Sequence, residues 1–209
     1  MRLILVRHGQ SEGNASGILQ GRLDFGLTPL GQLQASHTAD HLRSRTHVKR
    51  VVSSPLLRAK QTAGPIAEAL GIELELDPAL AEYDMGEASG LTGAELRERF
   101  PDVMSSWERG VRPSFPGEEG RDIFRQRVDG FFQRLLADGR DTIAIGHGGV
   151  VNLACHIVLG MDYGNRPGVF SAGNCSLTEF ASDRTGRLVL LHHNDDCHIR
   201  ELATTLDLG

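Results

Sequence analysis

Three short apolar runs in this chain stop abruptly at reactive polar residues. Leu3-Ile4-Leu5-Val6 ends at Arg7-His8-Gly9, Val51-Val52 ends at Ser53-Ser54, and Thr142-Ile143-Ala144-Ile145 ends at Gly146-His147-Gly148. Their length and β-branched content predict buried strands. Helical patterns follow each of them, and strands that alternate with helices build an α/β fold with a mainly parallel sheet. In a parallel sheet the three polar ends share one edge, the edge where ligands of open α/β sheets bind. Arg58 falls one turn into the helix after Ser53-Ser54. Two imidazoles and two guanidiniums then converge in a chain whose net charge is −5. Such a cluster repels itself unless an anion sits within it. A phosphoryl group fits, because the guanidinium fork grips its oxygens and stays charged at any working pH.

Local punctuation sets the elements between these strands. Thr28-Pro29 predicts a helix start, with Thr28 as N-cap and a stripe of Leu30, Leu33, His37, Ala39 and Leu42. The helix from Leu56 to Leu70 presents Ala59, Ala63, Ile66 and Ala67 on one face, and Gly71 caps it. Ile72 to Leu76 alternates as a strand with one solvated face. Thr92-Gly93-Ala94-Glu95 is a capping box opening a helix to Phe100, and Pro101 separates it from a second short helix. Asp122 to Ala137 reads as a long helix with Ile123, Val128, Phe131, Phe132 and Leu135 as its apolar side. The stretches 14–27 and 79–91 read as loops. Cys175 to Phe180 and Arg187 to His192 read as late strands, and Leu202 to Gly209 as a loose tail. Residues 80–120 form a helical insertion placed to cover the sheet's edge.

Bulk composition excludes several classes. At 209 residues, the chain can bury a full core as one domain or one domain with an inserted cap. An acidic balance gives no whole-protein drive toward nucleic acid or anionic membrane. The first apolar run is too short for a signal peptide, and no run approaches a membrane span, so the expected location is the cytoplasm. Three scattered cysteines, Cys155, Cys175 and Cys197, predict reduced thiols, two of them buried.

The ordered blocks resemble the histidine phosphatase superfamily, the phosphoglycerate mutase-like proteins. These are Leu5-Val6-Arg7-His8-Gly9-Gln10-Ser11-Glu12-Gly13-Asn14, Gln20-Gly21-Arg22-Leu23-Asp24, Leu27-Thr28-Pro29-Leu30-Gly31, Ser53-Ser54-Pro55-Leu56-Leu57-Arg58-Ala59-Lys60-Gln61-Thr62-Ala63 and Gly146-His147-Gly148-Gly149. The resemblance implies a single domain over 1–209: a three-layer α/β fold with a mainly parallel central sheet flanked by helices and a small helical cap at about 80–120. It implies that His8 is the nucleophile that takes the phosphoryl group, and that Arg7, Arg58 and His147 hold its oxygens. His8 must attack through a neutral nitrogen, and its other nitrogen is expected to donate to a backbone carbonyl. Asn14, Gln20, Gly21 and Gly148 match substrate-contacting positions.

Glu82, in Leu80-Ala81-Glu82-Tyr83-Asp84-Met85-Gly86-Glu87, matches the family's acid, which protonates the leaving oxygen and then activates water. On residue type alone Asp84 and Glu87 compete with it. The resemblance implies no cofactor and no metal. The run His192-His193-Asn194-Asp195-Asp196-Cys197-His198 holds ligand types in a spacing that fits no standard zinc site. The chain departs from the family at Gly86-Glu87-Ala88-Ser89-Gly90 and at Pro116-Gly117-Glu118-Glu119-Gly120, where Glu119 takes the glutamate place and Gly120 replaces the usual Ser. Both departures fall on the lid and bear on substrate choice. The first expectation is a phosphomonoester hydrolase acting on a small phosphorylated metabolite. A cofactor-dependent phosphoglycerate mutase using the same site is the alternative, and a non-catalytic phospho-ligand module ranks below both. Phe170 and the late strands are candidates for a homodimer contact.

Overall fold

The computed structural model describes residues 1–44, 48–164 and 168–202. His47, expected from the sequence as a helix-surface or packing residue, and nearly all of the expected tail, residues 203–209, lie outside the described residues. Six strands form one sheet in the order β3-β2-β4-β1-β5-β6. They are β1 (Arg2–Arg7), β2 (Arg50–Ser53), β3 (Leu74–Leu76), β4 (Thr142–Gly146), β5 (Leu177–Ser182) and β6 (Leu188–Asp195). The first four are mutually parallel, and the C-terminal pair adds antiparallel to β1. Register is what gathers the site: Arg7 pairs with Gly146 and Ser53 with Ile145, so three strand ends stop level with one another. The ladder runs one residue further, with His8 N–H donating to Gly146 O at 3.0 Å and Ser54 N–H to Ile145 O at 2.9 Å.

Helices cover both faces. On one side Leu3, Leu5, Val52 and Ala144 pack against α6 (Arg121–Asp138) and α7 (Gly148–Leu159). On the other, Val6, Val51, Ile143 and Ile145 pack against α2 (Pro29–Arg43) and α3 (Leu57–Leu70). Buried on both faces, the central strands read as continuous apolar runs, as parallel strands must. Between β3 and α6, two 3-10 turns at Pro78–Leu80 and Gly86–Ala88 lead to α4 (Gly93–Arg99) and α5 (Pro101–Glu108). This stretch has a small core of its own, Ala88, Leu96, Met104 and Phe115, flanked by Leu91, Phe100 and Trp107.

The caps fall where the sequence puts them. Thr28 accepts from Gly31 N–H, Thr92 and Glu95 complete their box, and Gly71 ends α3 at φ +65°. Two helix faces differ from the apolar stripes. On α2 the inward residues are Gly31, Gln34, Ala35, Thr38, Ala39 and Leu42, while Leu33 is 46% exposed and His37 faces solvent. Gln34 and Thr38 are buried because each has a polar partner: Gln34 Oε1 accepts from Gln10 N–H, and Thr38 Oγ1 donates to Gln34 O. On α6, Phe124 is fully buried and Ile123 is 60% exposed. Phe124 falls on the same helical face as Val128, Phe131, Phe132 and Leu135, and Ile123 falls off it. The stretch 14–27 also begins inside a single helical turn, α1 (Glu12–Ala15), which Ser11 and Asn14 close as a capping box.

The loop after β1 crosses the start of α2 at very close range. A Cβ on Gly31 would overlap the Gln10 carbonyl, and one on Gly9 would sit 2.6 Å from Gly31 O. Backbone meets backbone here, so neither side can yield as a flexible side chain would. Gly31→Ala is expected to destabilise the protein by about 2–3 kcal/mol, the upper range for overpacking, read as a lower denaturant midpoint at unchanged m-value. An unchanged midpoint would show that the contact relaxes freely.

Candidate active site

A cavity of about 550 Å³ opens at this edge of the sheet, and its lining includes Arg7, His8, Asn14, Gln20, Gly21, Arg58, Glu82 and Gly148. His8 is 3% exposed and His147 fully buried behind it, their ring centroids 5.0 Å apart. His8 Nδ1 lies 2.7 Å from Gly9 O, so Nδ1 carries the proton and donates. Nε2 is then the lone-pair nitrogen, and Arg58 Nε donates to it at 3.2 Å. That is the tautomer a nucleophilic imidazole needs.

Arg58 is the largest fully buried side chain among the described residues. Its other donors go to Leu23 O at 2.7 Å and Gly21 O at 2.9 Å, and among the described residues it meets no carboxylate within ion-pair distance. A buried cation held by neutral acceptors keeps a charge that an anion in the cavity would balance. Burial pushes the Arg58 pKa down, Glu82 and Asp24 oppose that, and Arg7 adds to it. Gly21 presents its carbonyl to Arg58 from a left-handed conformation, φ +49°, which favours glycine. Arg7 Nη1 donates to Ala172 O, which holds the guanidinium along the cavity wall.

His147 is the N-cap of α7 without a side-chain bond to the helix, so the Gly148 end of that helix opens toward the cavity. Helix N-termini attract anions through their free N–H groups. Glu82 sits against that helix end. Its Oε2 accepts from Gly149 N–H at 3.0 Å and its Oε1 from Tyr83 N–H at 2.8 Å. A Cβ on Gly149 would overlap that carboxylate. The competing acids are occupied elsewhere: Asp84 accepts from Gly86 N–H, and exposed Glu87 pairs with Arg99.

Asn14 and Gln20 both line the cavity and are tied to each other through Ser11. Asn14 Oδ1 accepts from Ser11 N–H, and Ser11 Oγ lies 2.8 Å from Gln20 Oε1. The sequence-predicted site residues line this one cavity except His147, which is fully buried with its ring against that of His8.

Several further residues support the site through contacts that spacing does not reveal. Asn174 donates from Nδ2 to His8 O at 3.1 Å and to Asn14 Oδ1 at 3.3 Å. Arg127 donates to Ala79 O, Ala81 O and Glu82 O while pairing with Glu119, which also meets Arg22. Glu119 thus braces, through Arg127, the segment after β3 that carries Glu82. Ser54 Oγ lies 2.8 Å from His147 Nε2. Asn174 and Arg127 carry no spacing motif and are made relevant by long-range contacts; Ser54, Arg22 and Glu119 fall in the blocks quoted above, but their partners appear only in the fold.

The remaining sequence candidates separate in space. His193 Nδ1 sits 3.2 Å from Thr178 Oγ1, while His198 meets Thr38 Oγ1 and stacks on His41 at 4.7 Å. Among the described residues no three His, Cys, Asp or Glu side chains gather as a metal cage. Cys155 and Cys175 are buried and Cys197 is exposed. Burial pushes both buried thiols up to about 12, which keeps them protonated and non-nucleophilic. Phe170 packs edge-on against His156 and His193 and lines the cavity, so its ring is used inside the protomer. No helix among the described residues is long and apolar enough to cross a membrane.

Burial holds both imidazoles well below the usual 6.5. For His8, Arg58 and Arg7 add to the lowering while the bond to Gly9 opposes it; for His147, His8 and the arginines add to it. Both groups are depressed in the folded state, so their stability contribution is complete above 6.5. It is lost as pH falls from 6.5 toward the folded values, by about 1.4 kcal/mol per pH unit for each imidazole. Denaturant titrations of the wild type and His147→Asn between pH 8 and 5 read this directly. The variant is expected to lose stability less steeply, and equal slopes would contradict a neutral buried His147.

The chain matches the family model described as histidine phosphatase superfamily (branch 1) over residues 3–196. It is 32% identical over 204 residues to phosphoserine phosphatase 1 of Hydrogenobacter thermophilus, covering 96% of this chain and 95% of that one. It is 30% identical over 190 residues to glucosyl-3-phosphoglycerate phosphatase of Mycobacterium tuberculosis, covering 86% and 85%. Among solved structures, a mycobacterial glucosyl-3-phosphoglycerate phosphatase in complex with VO3 superposes with a TM-score of 0.84 at 28% identity, covering 93% of this chain and 99% of that one. Fold, strand-end histidines and these likenesses agree, and the chain belongs to the histidine phosphatase superfamily.

Proposed function

We propose that this chain hydrolyses phosphomonoesters of small metabolites through a phosphorylated His8. The observation that carries the reading is the His8 tautomer, with Nδ1–H committed to Gly9 O and Nε2 left as the lone pair beside the Arg58 guanidinium. In the first step Nε2 attacks phosphorus and the bond to the ester oxygen breaks. Glu82, entering as the carboxylic acid, gives its proton to that oxygen, and the alcohol leaves. Arg7, Arg58 and His147 hold the phosphoryl oxygens, with Asn14, Gln20, Gly21 and Gly148 around them. In the second step Glu82 takes a proton from water, the oxygen attacks phosphorus, and the N–P bond breaks to release phosphate and neutral His8. Ester and water balance both steps.

In this reading residues 1–209 work as one domain, with residues 80–120 as its cap, on a substrate dissolved in the cytoplasm. The relatives' substrates are phosphoserine and glucosyl-3-phosphoglycerate by name. This chain's outer cavity wall is different in kind from a phosphate shell: Ile18, Leu19, Met85, Trp107, Tyr163 and Phe170 line it, with Arg112 as its cation among the described residues. That wall suits a leaving group with an apolar or aromatic body. Trp107→Ala is expected to raise KM about tenfold for 2-naphthylmethyl phosphate, the scale of one to two kcal/mol of lost ring burial, and to leave KM for ethyl phosphate unchanged. Equal effects on both esters would remove the wall from substrate choice.

The reading as a whole is tested by rapid quench with a 32P-labelled ester. The expected label is stable to base, labile to acid and carried by the peptide containing His8, and turnover persists in excess EDTA. Assay of 3-phosphoglycerate interconversion with and without 2,3-bisphosphoglycerate is the control for mutase chemistry. Turnover with the label absent from His8 would defeat the mechanism.

A further inference from the structure

Hydrogen-bond accounting around His147 goes beyond the assignment of oxygens to donors. Ser54 is fully buried at the end of β2. Its hydroxyl has two neighbours among the described residues: Leu56 N–H, which donates to Oγ at 3.3 Å, and His147 Nε2 at 2.8 Å. The Leu56 bond occupies a lone pair, so the hydroxyl proton has one acceptor in reach, Nε2. Were Nε2 the protonated nitrogen, two hydrogens would face each other unless the hydroxyl turned its own toward nothing. His147 Nδ1 is buried and has no partner among the described residues. An unmet buried polar atom costs free energy and needs an occupant.

We propose that Ser54 selects the tautomer of His147: its hydroxyl donates to Nε2, which places the ring proton on Nδ1, where it donates to a phosphoryl oxygen. The proposal rests on the reading that His8 carries a phosphoryl group. It explains how a ring kept neutral by burial and by surrounding cations still serves an anion. A neutral imidazole has one N–H, and on the wrong nitrogen it would aim a lone pair at the oxygens. Ser54 touches no substrate in this account and is a positioning residue that acts through His147.

Protein labelled with 15N-histidine, studied at pH 7.5 with long-range 15N–1H correlation, reports the protonated nitrogen of each ring; His147→Asn assigns the His147 signals. Wild-type protein is expected to show a protonated Nδ1 and an unprotonated Nε2 at His147. The opposite pattern overturns the proposal without any variant of Ser54. Ser54→Ala is expected to move the proton toward Nε2 and to lower kcat about tenfold, less than the 10²–10³-fold of a deleted oxyanion donor, with KM little changed. Ser54→Thr, which keeps a hydroxyl, is expected to restore the Nδ1 proton and most of kcat. A Ser54→Ala protein with an unmoved tautomer, or with wild-type kcat, overturns the assignment. If Ser54→Ala does not fold, the wild-type and Ser54→Thr spectra decide. Absence of any phosphatase turnover would instead defeat the hydrolytic reading, and the spectrum would still report the tautomer.

Discussion

Replacing His8 by alanine is expected to lower kcat for phosphate esters by about 10⁴-fold or more, the scale on which deletion of a covalent nucleophile acts, and to leave a folded protein. The size follows from what the ring alone supplies. Nε2 is the lone pair that Arg58 faces, and buried thiols cannot replace it. Water entering the vacated space could attack directly, but it is a poor nucleophile with no base beside it other than Glu82. Folding should survive because the ring's own bonds are few, one to Gly9 O and one from Arg58. Vanadate or phosphate binding, measured by calorimetry, is expected to persist in the variant, since Arg7, Arg58 and His147 remain. The decisive pairing is lost turnover with retained anion binding. A His8→Ala protein that hydrolyses ethyl phosphate near the wild-type rate would end the phosphohistidine reading.

Much of this site was legible in the sequence because it sits at strand ends. A strand announces itself by a few β-branched residues, and where the run stops, the next residues are placed at the sheet's edge. That logic located Arg7, His8, Ser53-Ser54 and His147, and the register then brought them level. Helix caps were legible for a similar reason, since the Thr28 and Thr92 caps are contained within four residues.

What stayed hidden depends on contacts between distant residues. Gln34 and Thr38 read as surface positions until Gln10 and the Gln34 carbonyl are known to face them. Ile123 and Phe124 differ from these, because local spacing decides between them: Phe124 continues the face of Val128 and Phe131, and Ile123 does not. Asn174 lies 166 residues from the carbonyl of His8 that it supports. Glu119 was visible as a motif position, yet its pairing with Arg127 and Arg22, which braces the Glu82 backbone, comes only from the folded arrangement.

Arg58 offers the second large effect, and here charge and shape can be separated. Arg58→Met removes the charge and keeps an unbranched side chain. It is expected to lower kcat/KM by about 10³–10⁵-fold, the range for an arginine that stabilises a transferring phosphoryl group. Arg58→Lys keeps the charge but loses the fork that serves His8, Gly21 O and Leu23 O together. A lysine there cannot make all three bonds in their planes, so its kcat is also expected to fall, by about 10²–10³-fold. The pH profiles should then differ in sign-definite fashion. Arg58 is one cause of the low pKa of both His8 and His147. Its positive charge opposes their protonation, so removing it raises both values. His8 must be neutral to attack, and the acid limb of kcat/KM follows the free enzyme. In Arg58→Met that limb is expected to move up toward 6.5, though not to reach it, because burial is the larger cause and remains. In Arg58→Lys it should stay near its wild-type position while the plateau drops. The two variants thus divide the residue's work into a field acting on the imidazoles and a grip acting on the phosphoryl oxygens. Wild-type turnover in Arg58→Lys would refute the grip, and an unmoved acid limb in Arg58→Met would refute the field.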